Sequence, residues 1–212
     1  MKYVYASKEE WVATISAAKL ADRVREAEIP FGEKMNVVRR LIGGAKDAEF
    51  LKLASLLNEA RQHNIVSDWA FTGGAAVNYY GAPISTEDAD ALVILPTSDG
   101  LIDLGPAYRF FVDRGATIDG IYLVISGWYF QFVPASTPLE KEALSAGRTD
   151  GEIRVVTPEH LIAMKLTVNR AKDKTHILHL LESASSKINR VKLDDLLQQY
   201  GLTEKFEKLL SL

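Results

Sequence analysis

Apolar residues recur at helical spacing through the first part of the chain. The pattern predicts helices over residues 7–27, 33–42 and 47–63. Ser7 followed by Glu10 is a capping-box pattern at the start of the first helix, and Gly43–Gly44 would end the second. Residues 1–65 are therefore predicted to form a helical region.

The pattern changes at Val66, where short apolar runs replace the helical periodicity. Strands are predicted at residues 68–72, 89–95, 117–125, 128–133 and 153–156, and short helices at 73–80, 106–114 and 139–146. The run from Ala89 to Leu95 does not alternate with polar residues, which is typical of a strand buried on both faces. Ser126–Gly127 suits a hairpin turn between two of these strands.

A helix start is encoded by Thr157–Pro158–Glu159, a capping residue followed by proline and then an acid in the first turn. We expect this helix to reach about Arg170 or beyond and a related helix to continue to Ser183. Amphipathic helices are predicted at 191–199 and 202–210. The predicted domains are an N-terminal helical region (1–65), a core (66–156) and a C-terminal helical region (157–212), in an α/β (α+β) fold.

Composition places the chain among ordinary globular proteins, with 212 residues, 47% hydrophobic and 25% charged. The absence of cysteine excludes disulfides and thiolate chemistry. The N-terminus has no apolar signal core and no run approaches membrane-spanning length, so we expect a cytoplasmic protein without a membrane partner.

Charge is unevenly distributed along the chain. A net charge of −3 and a pI near 5.9 argue against a protein that coats nucleic acid through a generally basic surface. Between Arg148 and Lys192, however, nine Lys and Arg residues stand against five Asp and Glu residues. This local excess could contact phosphates, including those of an RNA acceptor, or could be a solvated helical surface.

The acids Asp88 and Asp90 lie one residue apart at the start of a predicted strand. Alternate residues of a strand point the same way, so both carboxylates would face one side. Two adjacent carboxylates repel each other unless a cation lies between them. Oxygen ligands of this kind suit Mg²⁺ or Mn²⁺, which also bind nucleotide phosphates.

The pair Gly73–Gly74 lies between a predicted strand and a short helix. Without Cβ atoms the backbone can approach a phosphate closely. Ser85 is a polar residue nearby, and Thr86 could hydrogen-bond across the loop to hold the acids in place. A lone D-x-D is most often a pair of solvated turn acids and a lone Gly–Gly is usually a turn, but their combination in this order is more specific.

This combination resembles the first motif of the nucleotidyltransferase-fold superfamily, the DNA polymerase β-like fold. The residues that carry the resemblance are Thr72–Gly74, Gly81–Pro83, Thr86 and Asp88–Asp90, and further similarity follows at 131–134, 138–143, 156–166 and 170–173. The sequence is most similar to the AbiEii-like and minimal nucleotidyltransferase groups, many of which are toxins of toxin–antitoxin pairs. The similarity covers roughly residues 66–183.

The resemblance implies a mixed sheet flanked by helices and a role for several residues. Asp88 and Asp90 would bind catalytic metals, and Gly73 and Gly74 would hold the triphosphate of an NTP. Lys165 would contact the phosphates. Arg170 and Asp173 belong to an Arg-x-Lys-Asp cluster that would close the site, with Asp173 orienting the basic group. Without a ligand, the same segment would be a surface ion-pair helix.

One position departs from the family pattern. Active members of this fold carry a third carboxylate on a later strand, and the position that we align with it is Gln131. A neutral amide does not supply a carboxylate charge. Asp119, on the preceding strand, is a possible substitute.

Two hypotheses follow for the function. The first is a metal-dependent nucleotidyltransferase that moves an NMP from an NTP to an RNA (a tRNA, for example), protein or small-molecule acceptor. The resemblance would also allow a role as a toxin with an antitoxin partner. The second is a catalytically decayed nucleotide- or partner-binding module, prompted by Gln131.

Other chemistries have little support in the sequence. His176 and His179 are interpreted as ordinary surface or core-edge histidines because no third metal ligand is evident. Neither a P-loop nor a serine-hydrolase elbow is present. The aromatic clusters at 79–80, 108–111 and 128–130 are interpreted mainly as core, with one or two rings free to stack on a base.

Overall fold

Two apolar stretches of the sequence form the adjacent central strands of a sheet. They are Trp69–Phe71 and Ala91–Val93, and every side chain in both is buried. The computed structural model describes residues 50–82, 84, 86, 88–98, 101–125 and 128–211. The chain divides into two compact units, residues 1–50 and 51–212, and the elements below build the second.

The strands follow one another along the chain with helices between them. The strands are β1 (Asp68–Thr72), β2 (Asp88–Ile94), β3 (Thr97–Ser98), β4 (Leu101–Ile102), β5 (Thr117–Asp119), β6 (Tyr122–Ile125), β7 (Trp128–Pro134), β8 (Arg148–Asp150) and β9 (Ile153–Val155). The helices are α1 (50–62), α2 (Gly73–Tyr79), α3 (Gly105–Val112), α4 (Pro138–Ser145), α5 (Pro158–Val168), α6 (Ala171–Ser183), α7 (Arg190–Gln199) and α8 (Thr203–Leu210), with a 3₁₀ turn at Ser185–Lys187.

Seven of the strands form one mixed sheet in the order β5-β6-β7-β2-β1-β9-β8. Strand β2 runs antiparallel to β1 and parallel to β7, and β1 runs parallel to β9. The α/β class and the mixed sheet flanked by helices are therefore confirmed. Strands β3 and β4 form a separate two-stranded sheet.

An aromatic cluster covers one face of the sheet. Phe111 of α3 stacks on Phe130 of β7 with ring centroids 5.5 Å apart and meets Phe132 edge-on at 5.4 Å. Such pairs contribute about 0.5–1.5 kcal/mol each beyond the area that they bury. These rings confirm the predicted aromatic core. Since strand residues alternate, Asp88, Asp90, Tyr129 and Gln131 lie on the opposite face.

The structure corrects the prediction of a single strand over residues 117–125. The segment is a hairpin, in which Asp119 pairs with Tyr122 and Gly120 turns the chain with a φ of +60°. A second hairpin, β8–β9, turns at Gly151, where φ is +57°. The sequence did not predict β8 because its side chains are all exposed and carry no apolar alternation.

The helix that begins at Pro158 is shorter than predicted. Asn169 adopts a left-handed conformation, with φ of 56°, and caps α5 after Val168. Helix α6 then begins at Ala171. The predicted C-terminal helices are confirmed as α7 and α8.

Some predictions fall on residues that the structure does not describe. These are the helices at 7–27 and 33–42, the capping residue of the third helix, Ser85, and the turn at Ser126–Gly127. The division at residues 65 and 156 stays a prediction. Among the described residues, no helix is long and apolar enough to span a membrane.

Candidate functional site

Strand β1 ends in a glycine turn that leads directly into α2. Gly73 has a φ of +64°, a conformation that L side chains rarely adopt. A Cβ atom at Gly73 would overlap the Oδ2 atom of Asp90, and one at Gly74 would lie 2.6 Å from the Thr86 hydroxyl oxygen. The two glycines therefore let the turn approach Asp90 and Thr86 more closely than any other residue type would.

The two acids lie side by side on β2. Asp88 and Asp90 share one face of the strand, with Tyr129 and Gln131 of β7 as their register partners. On the other side of β2, Asp90 pairs with Thr72, which precedes the glycine turn. The expected hydrogen bond is present, since the Thr86 hydroxyl donates to Asp88 Oδ1 at 2.6 Å.

The surroundings of Asp90 disfavour the charged form of its carboxyl group. Burial and, next, the neighbouring charge of Asp88 raise its pKa to about 6, although Lys165, Lys172 and Arg170 act in the opposite direction. A cation between the two acids would relieve this repulsion.

Three cations line the same cleft as the acids: Lys165 of α5, Arg170 just before α6, and Lys172 of α6. We call this set the cationic wall. Lys165 is only 6% exposed. Its Nζ lies 3.4 Å from Asp173 Oδ1 and 3.1 Å from His176 Nδ1. Burial lowers the pKa of Lys165, and the charge of Asp173 partly offsets this effect. A buried ammonium next to an acceptor nitrogen is thus fixed in place.

Asp173 is the anchor of this wall. It lies in the first turn of α6, is almost completely buried, and accepts hydrogen bonds from Arg170 Nε at 2.7 Å and Nη2 at 3.2 Å. Burial alone would raise the pKa of Asp173, but the hydrogen bonds of Arg170 and the charge of Lys165 outweigh it, and the pKa falls below its usual value. Asp173 therefore remains ionised between its two cationic partners.

The histidine next to this wall is neutral under ordinary conditions. Burial and the adjacent Lys165 charge lower the pKa of His176 to about 4. An ammonium can donate a hydrogen bond to Nδ1 only when that nitrogen is unprotonated. The Lys165–His176 contact therefore belongs to the neutral ring.

These features line one cleft of about 560 Å³. The lining residues are Gly73, Gly74, Thr86, Asp88, Asp90, Tyr122, Tyr129, Lys165, Arg170, Lys172 and His176. Of the predicted site residues, the cleft brings together Gly73, Gly74, Thr86, both acids, Lys165 and Arg170. Asp173 contributes through Lys165 and Arg170.

Three lining residues were not predicted as part of a site, namely Tyr122, Tyr129 and His176, whereas Lys172 is the lysine of the Arg-x-Lys-Asp cluster. The sequence contained a signal for Tyr129, since it lies two residues before Gln131 and shares its strand face. Lys172 and His176 lay in the predicted helical segment. The helix from Pro158 was expected to reach Arg170 or beyond, but the chain breaks at Asn169, so Lys165 and Lys172 lie on different helices.

The two candidates for a third ligand differ in position. Gln131 is the register partner of Asp90 and is half-buried. Asp119 lies on β5, which β6 and β7 separate from β2, and its side chain is exposed. At about 4.8 Å per strand, Asp119 is roughly 14 Å from Asp90. The structure therefore does not bring Asp119 to the cleft.

The donor set fits a hard divalent cation. Two carboxylates on one strand face, with an amide oxygen available next to them, are the oxygen ligands that Mg²⁺ and Mn²⁺ prefer. In the described part of the chain, no three His, Cys, Asp or Glu side chains converge where they could share a metal ion. Asp88 and Asp90 would thus hold a metal together with water or substrate oxygens.

Among known proteins, the similarity found is to solved structures. No family model and no curated protein matches the sequence. The solution structure of the antibiotic-resistance factor ANT(2'')-Ia matches with a TM-score of 0.46 and 15% identity, over 78% of this chain and 96% of that one. The crystal structure of ANT(2'')-Ia in complex with adenylyl-2''-tobramycin matches with a TM-score of 0.43 and 14% identity, over 71% of this chain and 95% of that one.

Proposed function

We propose that the protein is a metal-dependent nucleotidyltransferase that moves an NMP from an NTP to an acceptor hydroxyl. One observation carries the proposal. A single cleft combines two adjacent carboxylates, a glycine turn pressed against one of them, and the cations Lys165, Arg170 and Lys172. A triphosphate with a divalent cation has the complementary arrangement of charge.

Each side of the cleft would have its own task. Asp88 and Asp90 would hold Mg²⁺ or Mn²⁺, which when bound neutralises phosphate charge and polarises the reacting phosphorus centre. The backbone at Gly73 and Gly74 leaves room for phosphate oxygens to approach. Lys165, held by Asp173, would face the phosphates as a preorganised charge, as would Arg170.

The reaction is a substitution at the α-phosphorus. The acceptor oxygen forms a bond to that phosphorus, the bond to the β-phosphate bridging oxygen breaks, and pyrophosphate leaves. The acceptor proton passes to solvent or to a nearby base. We propose an RNA, a protein hydroxyl or a small molecule as the acceptor. The Lys- and Arg-rich segment 148–192 favours RNA.

The family resemblance adds a biological setting to the proposal. The protein would act in the cytoplasm as the toxin of a toxin–antitoxin pair, with an antitoxin protein as its partner. The assignments of Ser85 and Thr86 to nucleotide binding belong to the same proposal.

A second candidate is a nucleotide-binding module without turnover. The observation that favours it is the amide of Gln131 next to Asp90, where a carboxylate would complete the metal site. Tight NTP binding without transfer would identify this function.

The test is incubation with α-³²P-labelled NTPs, Mg²⁺ or Mn²⁺, and either total RNA or protein extract. We expect label to appear on one acceptor class with the wild type and to be lost in Asp88→Asn and in Asp90→Asn. Asp195→Asn, an exposed acid on α7, is the matched control and should retain transfer. Transfer that survives loss of both acids would refute the proposal.

A further inference from the structure

Two tyrosines border the cleft from neighbouring strands. Tyr122 of β6 and Tyr129 of β7 have ring centroids 5.7 Å apart and planes at 88° to each other. Both line the cleft, and Tyr129 is 39% exposed although β7 is an interior strand of the sheet. This aromatic pair is therefore set apart from the buried cluster around Phe130.

The aromatic pair lies on the far side of the acids from the glycine turn. Tyr129 is the register partner of Asp88 across the β7–β2 ladder. Thr72, which leads into the turn, is the partner of Asp90 across the β2–β1 ladder. The order across the sheet is Tyr122, Tyr129, the acids and the glycine turn, each about one strand spacing of roughly 4.8 Å from the next.

A nucleoside triphosphate has the same linear order. Its base and sugar lie on one side of the α-phosphate, and its β- and γ-phosphates lie on the other. With the α-phosphate over Asp88 and Asp90 and the outer phosphates toward Gly73, the nucleoside extends toward Tyr129. We infer that Tyr122 and Tyr129 form the stacking surface for the nucleobase of the NTP, an inference that rests on the proposed function.

The geometry of the pair suits a stacking role. In an edge-to-face pair, the ring that contributes its edge keeps both of its faces clear of its partner. A tyrosine face accepts any base, because every base presents a π-face. The surface therefore contributes affinity without reading base edges, and ATP, GTP, CTP and UTP should bind with similar affinities.

The test compares NTPs with a ligand that has no nucleoside. Isothermal titration calorimetry would measure binding of Mg²⁺–ATP and of Mg²⁺–tripolyphosphate without an acceptor. We expect Tyr129→Ala to weaken ATP binding about 5- to 150-fold, the usual range for loss of one stacking ring, and to leave tripolyphosphate binding unchanged. Tyr129→Phe, which keeps the ring, should bind both ligands like the wild type. Tripolyphosphate binding also reports that the variant is folded.

The remaining outcomes distinguish a failure of the stacking inference from a failure of the proposed function. If neither Tyr129→Ala nor Tyr122→Ala alters ATP affinity, or if ATP and tripolyphosphate weaken together, the stacking inference is overturned and the proposed function stands. A raised KM for the acceptor with unchanged ATP affinity would overturn the inference by assigning the rings to the acceptor. If the wild type binds neither ligand, the proposed function fails and the inference fails with it.

Discussion

The carboxylate of Asp90 occupies the space in which a Cβ atom at position 73 would lie. Backbone and side chain are thus fitted to each other across the β1–β2 ladder, where Asp90 pairs with Thr72. Gly73 is required twice, once by its left-handed φ of +64° and once by the position of Asp90. These two requirements can be separated by experiment.

Gly73→Ala should destabilise the protein more than Gly81→Ala. Gly81 also has a positive φ, of +93°, but the described residues place no heavy atom within 4 Å of a Cβ there. Its replacement should cost only the backbone strain, about 1–2 kcal/mol. At Gly73 we expect a further cost of about 1–3 kcal/mol, because Asp90 must move. The free energy of unfolding in urea measures both, and equal losses would contradict the fitted contact.

Asp173→Asn should be strongly destabilising. The carboxylate is buried against Lys165 and Arg170, so its removal leaves the Lys165 ammonium without its counter-charge. Breaking a buried ion pair in this way costs about 3–5 kcal/mol. Urea unfolding provides the measurement.

Arg170→Ala is the matched comparison for that variant. The Arg170 side chain is 57% exposed, so its ion pair with Asp173 should contribute only about 0.2–1 kcal/mol. Equal losses of unfolding free energy in Arg170→Ala and Asp173→Asn would contradict the role of Asp173 as the residue that holds the cationic wall in place.

Stability should depend on pH through His176. Its pKa falls from 6.5 in the unfolded chain to about 4 in the folded protein. The unfolded chain therefore binds a proton first, so the contribution of the neutral ring is present above pH 6.5 and is lost as the pH falls toward 4. By linkage the loss is about 1–3 kcal/mol.

His176→Asn isolates this effect, because the amide oxygen can still accept from Lys165 but does not titrate. We expect the unfolding free energy of the wild type to fall relative to this variant between pH 6.5 and 4. Parallel pH profiles for the two proteins would show that His176 is not the responsible group.

Gln131→Glu should lower the stability of the metal-free protein and raise its affinity for a divalent metal ion. A third carboxylate next to Asp90 adds like-charge repulsion, so the metal-free variant should melt at a lower temperature than the wild type. Mn²⁺ should then raise the melting temperature of the variant more than that of the wild type, because a ligand that binds only the folded state stabilises it. Asp119→Asn should leave the Mn²⁺ response unchanged. A variant no more responsive to Mn²⁺ than the wild type would refute a metal position between Asp90 and residue 131.

Short-range sequence patterns predicted much of the fold. The uninterrupted apolar run after Asp90 predicted β2, and the Thr157–Pro158 pair predicted the start of α5. The prediction joined β5 and β6 into one strand, although Asp119–Gly120 is a residue pair typical of hairpin turns. Exposed β8 had no pattern to reveal it.

The site was predictable only in part for a similar reason. Gly73, Gly74, Asp88 and Asp90 are close in sequence, so their spacing carries information about their geometry. The meeting of Lys165 with these residues, and of Tyr122 with Tyr129, depends on how separate elements pack. The left-handed residue Asn169 redirects the chain between two cations and left no signal in the apolar pattern.

The order of the segments along the chain has a consequence for synthesis. Asp88 and Asp90 leave the ribosome well before α5, α6 and the short link between these helices, which supply Lys165, Lys172 and Arg170. A nascent chain that ends before Pro158 therefore carries two adjacent carboxylates without the positive charges of those helices. Such a chain would repel a polyphosphate rather than retain it. Under the proposed function, the cleft would therefore acquire its affinity for anions only after α5 and α6 have been synthesised.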